Sequence, residues 1–338
     1  MLSNLTSVCL LSICSACVIA AQKGGYEVRK ARASSSPSSL DIKVKGKTRE
    51  GVLDVLTIGQ YCRFAFADTF FSSSSYPSLT GDRMSNMAMV NSLLYTFPGV
   101  RIISEEHLPT ATDVRPIVVS KGLLNSEAFS TIPDDIHLNI EDLVIWIDPL
   151  DATKEYAEGL THFVTTMVCV ARRGEPFIGV IHQPFLSKTY WASKFGVDKQ
   201  LLSLRRAFTS PVADQATRLI ISRSHAGDVE RLAKMILANA TVMEAAGSGY
   251  KTLELLKGNA DIYLHKTYIK KWDICAPNAL LKFATEGELS TLSGETIRYD
   301  FESDFVNKDG VFATAKADLV PLREKLAGKL LATATNTG

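Results

Sequence analysis

Trp146–Leu160 reads WIDPLDATKEYAEGL, and the organisation of the chain follows from how this stretch begins. Leu143–Ile147 (LVIWI) is a short apolar run, the mark of a buried strand. Pro149 predicts the end of that strand, because proline has no N–H to give to a sheet and fixes its own φ. Asp148 and Asp151 flank the resulting turn, and Thr153 offers a hydroxyl on it. Two carboxylates at the mouth of an apolar strand repel each other unless a cation lies between them. A hard divalent ion such as Mg²⁺ takes its oxygen ligands from a few carboxylates, water and phosphate. A solvated Asx-turn is the competing reading of the same residues.

Two more acidic sites stand at the ends of apolar segments. Glu105–Glu106 follows Val100–Ser104 (VRIIS), and Asp273 follows Trp272 in KKWDICAPNALL, a strand-to-helix transition. Taken together, WIDPLDAT, the Glu-Glu pair and KWDICA resemble the metal-dependent, lithium-sensitive inositol monophosphatase-like phosphatases. The resemblance runs from about Val8 to the C-terminus. It implies an α/β (α+β) chain in the layered αβαβα sugar-phosphatase fold, with an antiparallel N-terminal sheet and a smaller mixed C-terminal sheet. The expected division is residues 1–184, which carry the metal motifs, and 185–338, which complete the metal and nucleotide site.

Composition sets the outer bounds. The chain has 338 residues, a formal net charge of +1 and 22% charged residues. It can bury a sizeable core, and it lacks the general basic field that nucleic acid would require. The cysteines at 9, 14, 17, 62, 169 and 275 show no paired spacing beyond Cys14-x-x-Cys17, which has no second pair to complete a zinc site, so buried free thiols are expected. Val8–Ala21 is apolar but shorter than the ~20 residues of a membrane span, and no Lys or Arg precedes it as in a secretory signal. Followed by GGYEVRK, it resembles the family's first catalytic-domain helix, and a core helix is the favoured reading.

Ala31–Leu40 is Ser-rich and reads as a loop. Lys43–Gly51 (KVKGKTREG) resembles a loop near the metals in the family. About Val52–Ser78 then intervenes before the LTGD of Leu79–Asp82; the insert is first aromatic, then Ser-rich. It is either a real insertion or translated non-coding sequence, the second being favoured, since an exposed apolar loop has little to pack against. Asp82 should begin a helix whose apolar face is Met84, Met87, Val90, Leu94 and Phe97. Pro109–Asp142 reads as a surface excursion. Val164–Ala171, Phe177–Ile181 and Thr189–Ala192 read as an antiparallel meander. Beyond Pro184, strands at Arg218–Ile221, Thr241–Ala245 and Asp261–His265 alternate with helices at Asp228–Ala238, Thr252–Lys257 and Asp273–Thr285, a small mixed α/β half.

Ser222-Arg-Ser-His225 at a strand end reads on its own as a capping turn. Gly247-x-Gly with Lys251 at a helix start has the makings of an anion site, because glycines admit close approach and helix N–H groups point outward. In the family's nucleotide-phosphatase branch, the positions matching Ser222, His225, Gly247 and Lys251 contact the nucleotide product. By the same resemblance, Glu105, Asp148 and the Leu150 carbonyl hold one metal, and Asp148, Asp151 and Asp273 the second, of two to three Mg²⁺. Thr153 relays a proton from the attacking water to Asp82, the general base. Asp273 is also suited to be an N-cap. Pro277, where the family usually has Gly, should crowd the Asp273 carbonyl and reduce activity.

The resulting expectation is a phosphomonoesterase acting on the 3′-phosphate of 3′-phosphoadenosine 5′-phosphate. Ala152 and the Lys154–Glu158 run resemble the nucleotide branch. An inositol monophosphate phosphatase, or a catalytically impaired homologue, is the alternative. The expected partner is a small nucleotide bisphosphate and no nucleic acid, with a homodimer as an option for assembly. The resemblance implies a membrane-associated enzyme of the Golgi lumen, with the cytoplasm as the alternative because this chain shows no convincing anchor. Asn4-Leu-Thr and Asn239-Ala-Thr are glycosylation sequons, the latter expected to be exposed between a helix and a strand.

Overall fold

The computed structural model describes residues 6–34, 62–64, 77–106, 129–205, 217–223, 227–237 and 239–332. From the N-terminus come β1 (Ser7–Cys9), α1 (Leu10–Ala33), β2 (Cys62–Phe64), α2 (Pro77–Thr96), β3 (Arg101–Ser104), β4 (His137–Asn139) and β5 (Leu143–Asp151). Next are α3 (Thr153–Glu158), β6 (Thr165–Arg172), β7 (Glu175–Gln183), β8 (Lys188–Ser193), β9 (Gly196–Val197) and α4 (Lys199–Arg205). Then follow β10 (Arg218–Ser222), α5 (Gly227–Ile236), β11 (Thr241–Ala245), α6 (Ser248–Leu256), β12 (Ile262–His265) and β13 (Ile269–Lys270). The chain continues with α7 (Lys271–Ala284), β14 (Glu288–Ser290), β15 (Val306–Asn307), β16 (Val311–Thr314) and α8 (Leu322–Ala332).

The strands are apolar on both faces because both faces are covered. Along β5, Leu143, Ile145 and Ile147 join one core with α1 and α2, while Val144 and Trp146 join a second core with α6 and α7. On β10 and β12 the same alternation sends Ile220 and Tyr263 to the second core. It sends Leu219, Ile221, Ile262 and Leu264 to a third, shared with Val229 of α5 and Leu326 of α8. The layers therefore run α1/α2, large sheet, α6/α7, small sheet, α5/α8, the αβαβα arrangement read from the resemblance. The large sheet has the order β2-β3-β5-β6-β7-β8-β9. It is antiparallel from β5 to β9, with parallel pairs at β2–β3 and β3–β5. The small sheet, β11-β10-β12-β16-β14, is parallel across its first three strands and antiparallel beyond, so it is mixed.

α1 is a core helix, buried nearly all round from Leu10 to Ala21 and packed against α2, β6 and β7. Gly24 and Gly25 make that approach possible: a Cβ would lie 2.4 Å from Met89 Sδ at Gly24 and 2.5 Å from the His182 ring at Gly25. Among the described residues no helix is long and apolar enough to cross a membrane.

Several local expectations are corrected. β5 does not stop at Pro149 but continues to Asp151, with its register against β6 shifting between Asp148 and Asp151. In a bulge the extra residue needs no ladder bond, so proline is tolerated there. α2 starts at Pro77, which places Asp82 inside the helix rather than at its start. Its buried side is Asp82, Ser85, Asn86, Met89, Val90 and Leu93, continued by Phe97 just past its end, while Met84 is exposed, so the face is rotated from the one expected. Polar Asp82, Ser85 and Asn86 point inward because the acidic site lies there, which an apolar count misses. Within the insert, Cys62–Phe64 is not unpartnered: it pairs in parallel with Ile102–Ser104 as an edge strand. The remainder of 52–76, and Lys43–Gly51, lie outside the described residues. Cys169 and Cys275, expected as free thiols, form a disulfide across 106 residues, joining β6 to α7. No local spacing could announce it, because the two elements meet only when α7 packs on the large sheet. Cys14 and Cys17 are buried free thiols, as expected, and burial raises both thiol pKa values.

Candidate active site

The acidic residues reach one place from four elements. Asp148 and Asp151 sit in the bulged end of β5, Glu105 just past β3, Asp82 on α2 and Asp273 in the first turn of α7. α2 fastens two of these loops. Ser85 Oγ donates to the Pro149 carbonyl at 2.7 Å, Asn86 Nδ2 donates to the Glu106 carbonyl at 3.0 Å, and Ser104 Oγ donates to Asn86 Oδ1 at 2.7 Å. Ser85 and Asn86 went unnoticed in the sequence. Their only signal was polar residues at helical spacing beside Asp82.

Inside the turn, the Leu150 N–H donates to Asp148 Oδ1 at 3.1 Å, and Thr153 Oγ1 donates to the Leu150 carbonyl at 2.9 Å. Ala152 caps α3 in the left-handed region at φ 66°. This conformation costs an L-residue about 1–2 kcal/mol and turns the chain sharply after Asp151. Asp151 Oδ2 accepts from Thr165 Oγ1 at 3.2 Å and from the Gly249 N–H at 2.8 Å. Gly247 precedes α6 with φ 72°, and a Cβ there would meet Asp151 Oδ2 at 2.9 Å. Glycine thus allows the α6 N-terminus to close onto the acidic turn.

The electrostatics record how close the carboxylates are. Burial raises the Asp148 carboxyl well above its ordinary range, and Glu105, Asp151, Asp273 and Asp82 push it further the same way. Asp273 is raised by burial and then by Glu105 and Asp151, while the Lys270 N–H and Lys251 oppose the shift. Asp151 is raised by burial against the Gly249 N–H, Lys251 and Thr165. Asp273 is not the N-cap. That position is Lys270, and Asp273, the third helical residue, reaches back to the Lys270 N–H as in a capping box. α7 runs on through Pro277 to Ala284, so the proline removes one bond, to the Asp273 carbonyl, without ending the helix.

A site for hard cations fits this donor set: clustered buried carboxylates, a backbone carbonyl and hydroxyls, with no soft ligand among them. Among the described residues no three carboxylates close tightly enough round one point to enclose an ion alone.

A second centre adjoins the first. Lys251, 3% exposed, donates from Nζ to Ser222 Oγ at 2.9 Å and lies 4.7 Å from the Tyr263 ring centroid. Burial draws its pKa down to about 8 against the pull of Asp151, Asp273 and Glu155, so it remains cationic at neutral pH. Glu155, itself buried, is paired with Arg223. Ser222, Gly247 and His265 all stand at or just past the C-terminal ends of the parallel strands β10, β11 and β12, the edge where open α/β sheets place ligands. His265 Nδ1 lies 3.3 Å from Ser222 Oγ. Sequence reading passed it over, although a polar residue ending a parallel strand is itself a signal. His225 lies outside the described residues.

The sequence profile of the inositol monophosphatase family matches residues 72–336. The chain is 38% identical over 338 residues to inositol monophosphatase 3 of Xenopus tropicalis, covering 96% of this chain and 83% of that protein. It is 41% identical over 300 residues to the Golgi-resident adenosine 3′,5′-bisphosphate 3′-phosphatase of Rattus norvegicus, covering 87% and 75%. The protein of that name from Homo sapiens is 39% identical over 289 residues, covering 83% and 71%. Among solved structures, CysQ from Bacteroides thetaiotaomicron superposes with a TM-score of 0.60 at 20% identity, covering 91% of this chain and 98% of that one. An inositol monophosphatase from Anabaena does so with a TM-score of 0.57 at 16% identity, covering 96% of each.

Proposed function

This chain belongs to the inositol monophosphatase family and is a metal-dependent phosphoric monoester hydrolase, and from that premise we propose that its substrate is 3′-phosphoadenosine 5′-phosphate, cleaved to AMP. One observation carries this reading: α6 joins the acidic cluster to a buried cation. The Gly249 N–H holds Asp151 of the acidic cluster, and Lys251, two residues on, offers a buried ammonium at Ser222. A bisphosphate has two anionic ends, and the Lys251 seat matches the one that does not react.

In the proposed mechanism Glu105, Asp148 and the Leu150 carbonyl would hold one Mg²⁺, and Asp148, Asp151 and Asp273 would hold a second. When bound, the metal lowers the pKa of a water and offsets charge on the phosphoryl oxygens. Thr153, whose hydroxyl donates to the Leu150 carbonyl in the structure, would turn that proton to Asp82, the general base, as it takes one from the water. Lys251, Ser222 and the α6 N-terminus bind and orient the 5′-phosphate. Lithium sensitivity and a third ion are proposed with the family. The division of the chain near residue 184 also stays a proposal; the strands of the large sheet run on to Val197.

We place the enzyme in the Golgi lumen. The names of the relatives, the Cys169–Cys275 disulfide and the exposed turn residue Asn239 of the sequon support an oxidising lumen. The test is turnover with Mg²⁺ on the bisphosphonucleotide and on inositol 1-phosphate. Lys251→Ala should lower kcat/KM for the nucleotide about tenfold or more, the scale of a lost charged hydrogen bond, and cost a small monophosphate much less. Equal losses, or a wild-type preference for inositol 1-phosphate, would transfer the enzyme to the inositol branch.

A further inference from the structure

The loop between β12 and β13 hangs from the anion seat by a chain of hydrogen bonds whose direction can be assigned. His265 Nε2 faces the Tyr268 carbonyl at 3.2 Å and Thr267 Oγ1 at 3.1 Å. A carbonyl only accepts, so Nε2 carries the proton, and in the neutral ring Nδ1 is left as an acceptor. Ser222 Oγ–H then donates to Nδ1, and Lys251 Nζ donates to Ser222 Oγ. The seat and the Tyr268 backbone are thereby fixed to one another through the imidazole.

At the outer end of this chain Tyr268 is 71% exposed, the most exposed large hydrophobic side chain among the described residues. It stands past the C-terminal edge of the parallel strands, five residues before Asp273, so its loop joins the anion seat to the acid-bearing helix. The fold gives the ring no role in packing, yet anchors its backbone to a buried ammonium. We infer that Tyr268 is the stacking face for the heterocyclic base of the substrate, and that His265 is the positioning residue that holds it beside the seat. The inference rests on the proposed nucleotide substrate. An aromatic face binds a base through stacking and an inositol ring has no such face, so Tyr268 would separate the two substrate classes.

The experiment compares adenosine 3′,5′-bisphosphate with the methyl riboside 3,5-bisphosphate, which keeps both anions and lacks the base. With Tyr268→Ala, KM for the nucleotide should rise about tenfold at nearly constant kcat, while the base-free analogue loses several-fold less. Tyr268→Phe, which keeps the ring, should restore most of the nucleotide affinity. The thermal midpoint should not move, since the side chain is exposed. A Tyr268→Ala that acts equally on both substrates or on neither, or a Phe variant as impaired as Ala, would overturn the inference. A wild type that turns over the nucleotide while Tyr268 is silent removes this inference alone. A wild type that does not hydrolyse the nucleotide removes the substrate assignment and this inference with it.

Discussion

At the scale of single residues, Asp148 feels the acidic cluster from several sides. Its carboxyl is raised first by burial and then by four other acids. A carboxyl raised in the folded state binds more protons than in the unfolded chain, so without metal its contribution to stability falls as pH rises through that interval. Asp148→Asn removes one charge from the cluster. The metal-free variant should melt about 2 °C or more above the metal-free wild type at neutral pH. Added Mg²⁺ should stabilise it less than it stabilises the wild type, and turnover should fall to background. Near-normal turnover in the folded variant would remove Asp148 from the ligand set.

Among the elements, α1 rests on a titratable histidine. His182 on β7 lies under Gly25, with Nδ1 at 2.9 Å from Thr189 Oγ1, and Gln22 Nε2 donates to that same hydroxyl at 3.1 Å. Burial, and then the Arg29 charge, hold its pKa down to about 4. A histidine depressed in the folded state binds fewer protons than in the unfolded chain between that value and its ordinary one. Its contribution is therefore present above pH 6.5 and lost as pH falls toward about 4. Between pH 7 and 5 the loss is about 2 kcal/mol. Urea unfolding at the two pH values should show that loss in the wild type and much less of it in His182→Gln. Equal slopes would mean that α1 packing is indifferent to His182.

For the molecule as a whole, the Cys169–Cys275 bridge ties the sheet to the helix that carries Asp273, two residues from the disulfide. Closing a loop of 106 residues limits the unfolded ensemble, and removal of such a bond costs about 2–5 kcal/mol. The Cys169→Ser/Cys275→Ser double variant should unfold at lower denaturant and require more Mg²⁺ for half-maximal activity, because α7 then loses its covalent tie to the sheet and keeps only packing and hydrogen bonds. Mass spectrometry of the unreduced protein should find the two cysteines in one cross-linked peptide pair. Free thiols at both positions would dismiss the bridge and its support for a lumenal compartment.

The sequence alone determined the elements whose periodicity matches their burial: the meander of β6, β7 and β8, the apolar run of β5, and the alternation of strands and helices around β10, β11 and β12. It also marked the acids, because charge at the end of an apolar strand conflicts with local preference and is legible without neighbours. Where α2 points its polar side, how Pro149 fits a bulge, and which cysteines meet were decided only by tertiary packing. So was the path from Lys251 through Ser222 and His265 to Tyr268. Those facts depend on groups tens to more than a hundred residues apart, and side-chain chemistry along the chain does not encode the distance between them until the layers close.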